Sequence, residues 1–279
     1  MGRRYNAAVN SPRTTQPDAD RVGVLIASLL LTFALIRLVP SPQLVLRLSL
    51  PGFYLEYPVG LGTLLSALAA GLAAVGMDWL LQGHSEPGKR STAEHWLLPA
   101  LTTLVMGAPL ALLPDGPIWW IGFGVGGLLL TGVVLAEFIM MKPATDSFGL
   151  AQAGLTALSY ALFFILVVAL RLSGLRMVTL IPPVLVTATL ISLRILRLDG
   201  PDRWDFPWAL GIGLICTQLG AALRYWPLTP LQFGLALTGP LFALTQLCVS
   251  LADGAPLRRA AVGAVGILAL AWGSIAFLR

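Results

Sequence analysis

The sequence predicts an all-α, polytopic helical membrane bundle of about nine transmembrane helices, with a short outer β-hairpin between the first two. Three observations carry that prediction. Nine continuous apolar stretches of membrane-spanning length fill the chain. Only 11% of its 279 residues are charged, and the mean hydropathy is +0.82. All eight tryptophans lie near the end of one of the stretches. A water-soluble domain carries about 25% charged residues, whereas a hydrocarbon layer about 30 Å thick takes about 20 apolar residues of helix. The runs are continuous and lack the period-two alternation of outer-membrane strands, so helices are expected.

Residues 1–21 are polar and poor in large apolar side chains, and they predict a flexible cytoplasmic tail. Residues 22–279 then form a single transmembrane domain. The first span, 22–39, ends Ile36-Arg37-Leu38-Val39-Pro40 without a small-x-small cleavage site, which predicts a retained anchor. Next, Leu46 to Tyr57 alternates in polarity on both sides of Pro51-Gly52. Pro suits the second position of a type II turn and Gly the third, where φ is positive. Folding there sets Leu50 against Phe53, Leu48 against Leu55 and Arg47 against Glu56, an amphipathic hairpin.

The second span, 58–81, and the third, 95–113, flank a loop that holds both histidines, His84 and His95, with Asp78, Glu86 and Glu94 nearby. Their spacing matches no compact ligand motif, so a solvated loop and no metal are expected. With no histidine expected inside a helix, a membrane-embedded bis-histidine haem is not expected either, and no cofactor is assigned.

The remaining spans fall at 118–141, 148–172, 177–196, 207–223, 228–251 and 257–278. Asp115-Gly116-Pro117 follows the third span and Asp199-Gly200-Pro201 the sixth, and spans three, six and nine begin about 80 residues apart, a weak repeat that common turn chemistry explains. Pro182-Pro183 and Gly239-Pro240 predict kinks or breaks in the sixth and eighth spans. Ala67/Gly71, Gly122/Gly126 and Ala260/Ala264 predict close helix packing. Cys216 and Cys248 fall inside spans, where small apolar fillers are expected.

Basic residues set the expected orientation. With the N-terminus in the cytoplasm, twelve lie on that side, among them Lys142 and Arg194, against six outside. This predicts N-in and C-out, although eleven of the thirteen acids are also cytoplasmic, because the rule counts basic residues. Trp79, Trp96, Trp204 and Trp208 then mark the cytoplasmic interface, and Trp119, Trp120, Trp226 and Trp272 the outer one. The basic residues are spread over loops with no stripe interleaved with aromatics, so nucleic acid is not an expected partner.

Two sets of residues are candidates for function. Outside, Arg37, Arg171, Arg176 and Arg224 suit the planar, bidentate recognition of lipid phosphate. Glu137 is the most deeply embedded carboxylate, expected to reach the interface near Lys142, and with Gln152, Gln218 and Gln246 it outlines a candidate embedded polar site. Thr156, Ser159, Thr187, Thr189, Thr217 and Thr245 are expected to bond between helices. No catalytic residue is assigned.

Three stretches, Pro51-Gly52-Phe53-Tyr54, Asp78-Trp79-Leu80-Leu81 and His95-Trp96-Leu97-Leu98-Pro99, together resemble a bacterial family of multi-spanning membrane proteins with no assigned function. The resemblance is best over the first three spans. It implies a bacterial inner-membrane setting and no catalytic residues. The expectation is a non-enzymatic scaffold or accessory subunit, in contact with membrane lipids and other membrane proteins. The alternative is a transporter or flippase of a neutral, apolar or lipid-like substrate.

Overall fold

A computed structural model describes residues 19–38, 44–50, 53–82, 93–140, 148–199 and 205–277. The tail through residue 18, the Pro51-Gly52 turn, His84, Glu86, Lys89, Arg90, Lys142, Gly200-Pro201, Arg203, Trp204 and Arg279 lie outside the described residues.

Among the described residues there are nine helices long and apolar enough to cross a bilayer. They are α1 (Ala19–Leu38), α2 (Leu61–Gln82), α3 (Ala93–Leu112), α4 (Pro117–Met140), α5 (Phe148–Leu172), α6 (Met177–Asp199), α7 (Phe206–Leu223), α8 (Pro230–Ala252) and α9 (Leu257–Phe277). Each lies within three residues of the stretch expected from hydropathy, since every backbone N–H and C=O in hydrocarbon must be satisfied within the helix. Strands β1 (Leu44–Leu50) and β2 (Phe53–Val59) connect α1 to α2. They are antiparallel, in a register running from Leu44 opposite Val59, through Arg47 opposite Glu56, to Leu50 opposite Phe53.

The tight connections are built by turn chemistry. Gly116, Gly174 and Gly254 adopt φ of 126°, 65° and 78°, in the turns that follow α3, α5 and α8. A side chain is strained in that conformation, and glycine is not. Thr229 and Gln232 close a reciprocal capping box at the start of α8, with Pro230 at its first turn.

Contacts between helix ends show that neighbours run in alternating directions. Arg21, in the first turn of α1, lies over the Trp79 ring near the end of α2, 5.1 Å from its centroid. Trp272, late in α9, donates its ring N–H to the carbonyl of Ala236, early in α8, at 3.3 Å. The bundle thus has a hairpin end, where α1 hands over to β1, and an opposite tail end, where α1 begins.

Helix α6 forms the centre, with 61% of its apolar window buried. Leu180, Val184, Ala188 and Ile191 pack in one cluster with Phe163 and Val167 of α5 and Leu237 and Leu241 of α8. Apolar side chains therefore fill the space between α6 and α8. At the other extreme, α9 is 6% buried and packs chiefly on α8.

Three expectations need correction. Of the kinks or breaks expected at the prolines, the breaks do not form: α6 continues through Pro182-Pro183 and α8 through Pro240. In α6 the proline pair sits early, so the carbonyls it leaves unpaired belong to the first turn. Close packing uses different glycines from some of those expected. Gly71 has nothing within 4 Å of the position a Cβ would take, and Ala67 is exposed. Instead, a Cβ on Gly76 would lie 2.1 Å from Leu25, one on Gly213 2.1 Å from Thr189 and one on Gly234 2.7 Å from Phe164. Finally, most of the span hydroxyls serve their own helices: Thr156, Ser159, Thr217 and Thr245 donate to carbonyls four residues back. Tyr160 and Thr245, 2.5 Å apart, do bridge α5 and α8.

Candidate functional site

One charged cluster lies inside the bundle, at its tail end. Glu137 is three residues from the end of α4, Arg194 five residues from the end of α6, and His95 in the first turn of α3. The antiparallel packing brings these three positions to one depth. Arg194 places Nη2 at 2.6 Å from Oε1 and 2.7 Å from Oε2 of Glu137. Nδ1 of His95 lies 2.7 Å from Oε2. A carboxylate beside a guanidinium is an acceptor, so the imidazole N–H donates and its tautomer is fixed by Glu137.

The cluster is dry. Glu137 is 0% exposed and Arg194 3%, and the His95 side chain is 16% exposed. Removing two ions from water costs several kcal/mol each, and close pairing with added hydrogen bonds is what offsets that cost. His95 supplies the added bond. The arrangement therefore clamps α3, α4 and α6 together at one level, across sequence separations of 42 and 57 residues.

The structure corrects the expectations here. Glu137 does not reach the interface: its partners are Arg194 and His95, and Lys142 lies outside the described residues. His95 is a helix residue, not part of a solvated loop, and Arg194 is an interior residue, not an interfacial one. The glutamines do not join Glu137. Gln152 is half-buried at the start of α5, Gln218 is exposed on α7 and Gln246 is half-buried on α8. Beside the cluster, Trp96 turns inward. Its ring packs with Val22, Met77, Val134 and Phe138, and Nε1 is buried without a hydrogen-bond partner, as is Nε of Arg194. This tryptophan packs against the core.

At the hairpin end the arginines act differently. Arg171, ending α5, donates to the carbonyls of Arg224, Trp226 and Leu228 at 2.8, 3.2 and 3.3 Å. Arg224 donates to the carbonyl of Leu175 at 3.0 Å. Together they staple the α5–α6 turn to the α7–α8 turn, satisfying carbonyls that helix ends leave orphaned. Arg37 forms an ion pair with Asp115, in the turn before α4, and lies over the Trp119 ring at 5.9 Å from its centroid. Trp119 is 5% exposed, a second tryptophan drawn into the core. Arg176 is exposed. The four arginines thus do not form one cluster among the described residues: Arg171 and Arg224 are in direct contact, Arg37 pairs with Asp115 and Arg176 is exposed.

His95, Arg194, Asp115 and Trp119 are the members that sequence reasoning missed. A lone acid and a lone base, each about one turn from the same end of an apolar window, were the available signal for the buried pair. Both cysteines are free thiols, Cys216 buried and Cys248 half-buried. Among the described residues no group of three or more metal-ligating side chains forms a site.

A family model described as a protein of unknown function (DUF5656) matches residues 41–278. No curated protein and no solved structure matches the chain. The match spans most of the sequence, and the chain belongs to that family.

Proposed function

We propose that this DUF5656 protein is a non-enzymatic subunit of the bacterial inner membrane, acting as a scaffold or accessory component, with its N-terminus in the cytoplasm and its hairpin on the outer face. The observation that carries the proposal is the closed state of the interior charge. Both oxygens of Glu137 are taken up by Arg194 and His95, and the other buried polar side chains carry no charge. Such a cluster holds helices in register, leaving the outer faces of α1, α2 and α9 to contact lipid and other spans.

The test is purification of the full chain from native membranes in a mild detergent, with cross-linking before extraction. A stoichiometric membrane partner is the expected result, and a consistently solitary monomer overturns the proposal. One feature favours a second reading, transport or flipping of a lipid-like substrate. A laterally open apolar groove of about 430 Å³ lies between α1 and α4, lined by Val22, Ile26, Leu30, Thr131 and Leu135 among others. Reconstituted liposomes that move a fluorescent phospholipid between leaflets only when the protein is present would favour that reading over the first.

A further inference from the structure

We propose that Arg37, Asp115 and Trp120 form a binding site for the phosphoethanolamine headgroup of a membrane phospholipid at the hairpin end of the bundle. The inference is independent of the scaffold and transport readings, since either kind of protein can hold a structural lipid.

The site begins with two cavities that meet at one arginine. The first, of about 230 Å³, reaches inward from Arg37 between Phe33, Ile36, Leu110 and Ala111. The second, of about 200 Å³, opens outward from the same guanidinium past Leu38, Asp115 and Trp120. Trp119 lines both. Both pockets have mainly apolar walls, with Ser66 in the first and Asp115 in the second, and both contain the Arg37 guanidinium. Apolar walls suit the acyl region of a phospholipid, and the Arg37–Asp115 pair where they meet suits its headgroup.

The charges select the headgroup. Arg37 and Asp115 carry one positive and one negative charge, and the Asp115 side chain is 88% exposed. Asp115 pairs with the guanidinium at Nη2. Arginine presents five N–H donors in a fixed fork, so the remainder can receive a phosphate without dissolving the ion pair. An anionic headgroup would gain from Arg37 but bring a second negative charge against Asp115. A zwitterionic headgroup satisfies both. Between the two common zwitterions, a primary ammonium donates hydrogen bonds to Asp115, whereas a quaternary ammonium has no N–H to donate. The exposed Trp120 ring lines the same cavity, T-shaped to Trp119 at 4.9 Å, and an indole in reach of an ammonium adds cation–π attraction.

The test is native mass spectrometry of the delipidated full chain, titrated with phosphatidylethanolamine, phosphatidylcholine and phosphatidylglycerol of identical acyl chains. Wild type should retain phosphatidylethanolamine at least about tenfold more tightly than the other two, the worth of one charge-assisted hydrogen bond. Asp115→Asn should reduce that lipid to the level of phosphatidylcholine and leave phosphatidylcholine unchanged. Arg37→Gln should weaken both by a similar factor, through the shared phosphate. Thermal unfolding of each variant confirms that the fold survives. Tighter binding of phosphatidylglycerol by wild type overturns the proposal. So does an Asp115→Asn variant that keeps the ethanolamine preference, or one that weakens both zwitterions alike.

Discussion

The two ends of the bundle use arginine in opposite ways. At the tail end Arg194 is buried and shares its charge with Glu137 and His95. At the hairpin end Arg171 and Arg224 spend their N–H groups on backbone carbonyls, and Arg37 meets an exposed carboxylate. The same side chain is a charge to be neutralised in one place and a set of donors in the other. Solvation decides between them. Where water reaches, an ion pair is worth about 0–1 kcal/mol. Where it does not, losing a partner strands an ion in low dielectric, at about 3–5 kcal/mol.

That contrast predicts a graded series of losses. The largest belongs to Arg194→Met, which leaves Glu137 without its cation and should cost about 3–5 kcal/mol. Thermal unfolding in detergent measures it, and a midpoint close to wild type would contradict the burial assigned to the pair. Replacing both partners with apolar residues, Glu137→Leu with Arg194→Leu, should recover most of the loss, because no uncompensated charge remains. A double variant no more stable than Arg194→Met would show that hydrogen-bond geometry, and not charge, sets the cost.

Next comes steric packing, which separates glycines by their surroundings. Gly234→Ala drives a methyl group against Phe164 and Val168, with about 1–3 kcal/mol of destabilisation expected. Gly71→Ala meets nothing and should be neutral or slightly stabilising. Equal effects at the two positions would refute the helix pairing described above.

At the hairpin end the effects shrink. Arg171→Gln removes donors to three carbonyls of the α7–α8 connection and should cost about 1–2 kcal/mol. Faster hydrogen exchange at 224–229 would report the same loss locally. Smallest of all, Arg37→Gln should change stability by about 1 kcal/mol or less, since its partner is solvated. A loss as large as that of Arg194→Met would erase the distinction between the two ends.

Hydropathy made the helices legible because each span is decided within its own window of about 20 residues. The Asp115-Gly116-Pro117 turn was legible for the same reason: its chemistry is local. What stayed hidden was lateral. Nothing within a window says that residue 95 will meet residue 137, or that Gly76 rather than Gly71 faces a neighbour. His95 was misread because it sits at the first turn of its helix, where sequence separates loop from span least well. Arg194 was misread because an arginine near a span end ordinarily extends toward headgroups. Only its alignment in depth with Glu137 on another helix keeps it inside.

The isolation of α9 bears on the order in which the protein assembles. Its neighbour α8 already belongs to a core completed by α5, α6 and α7, and α9 approaches it closely where Gly239 meets Ala271. Helices that insert independently can associate afterwards in the bilayer. The ninth can therefore join as a late docking step onto a finished eight-helix body. A fragment ending at Asp253 should fold by itself and capture a separately expressed α9 in trans.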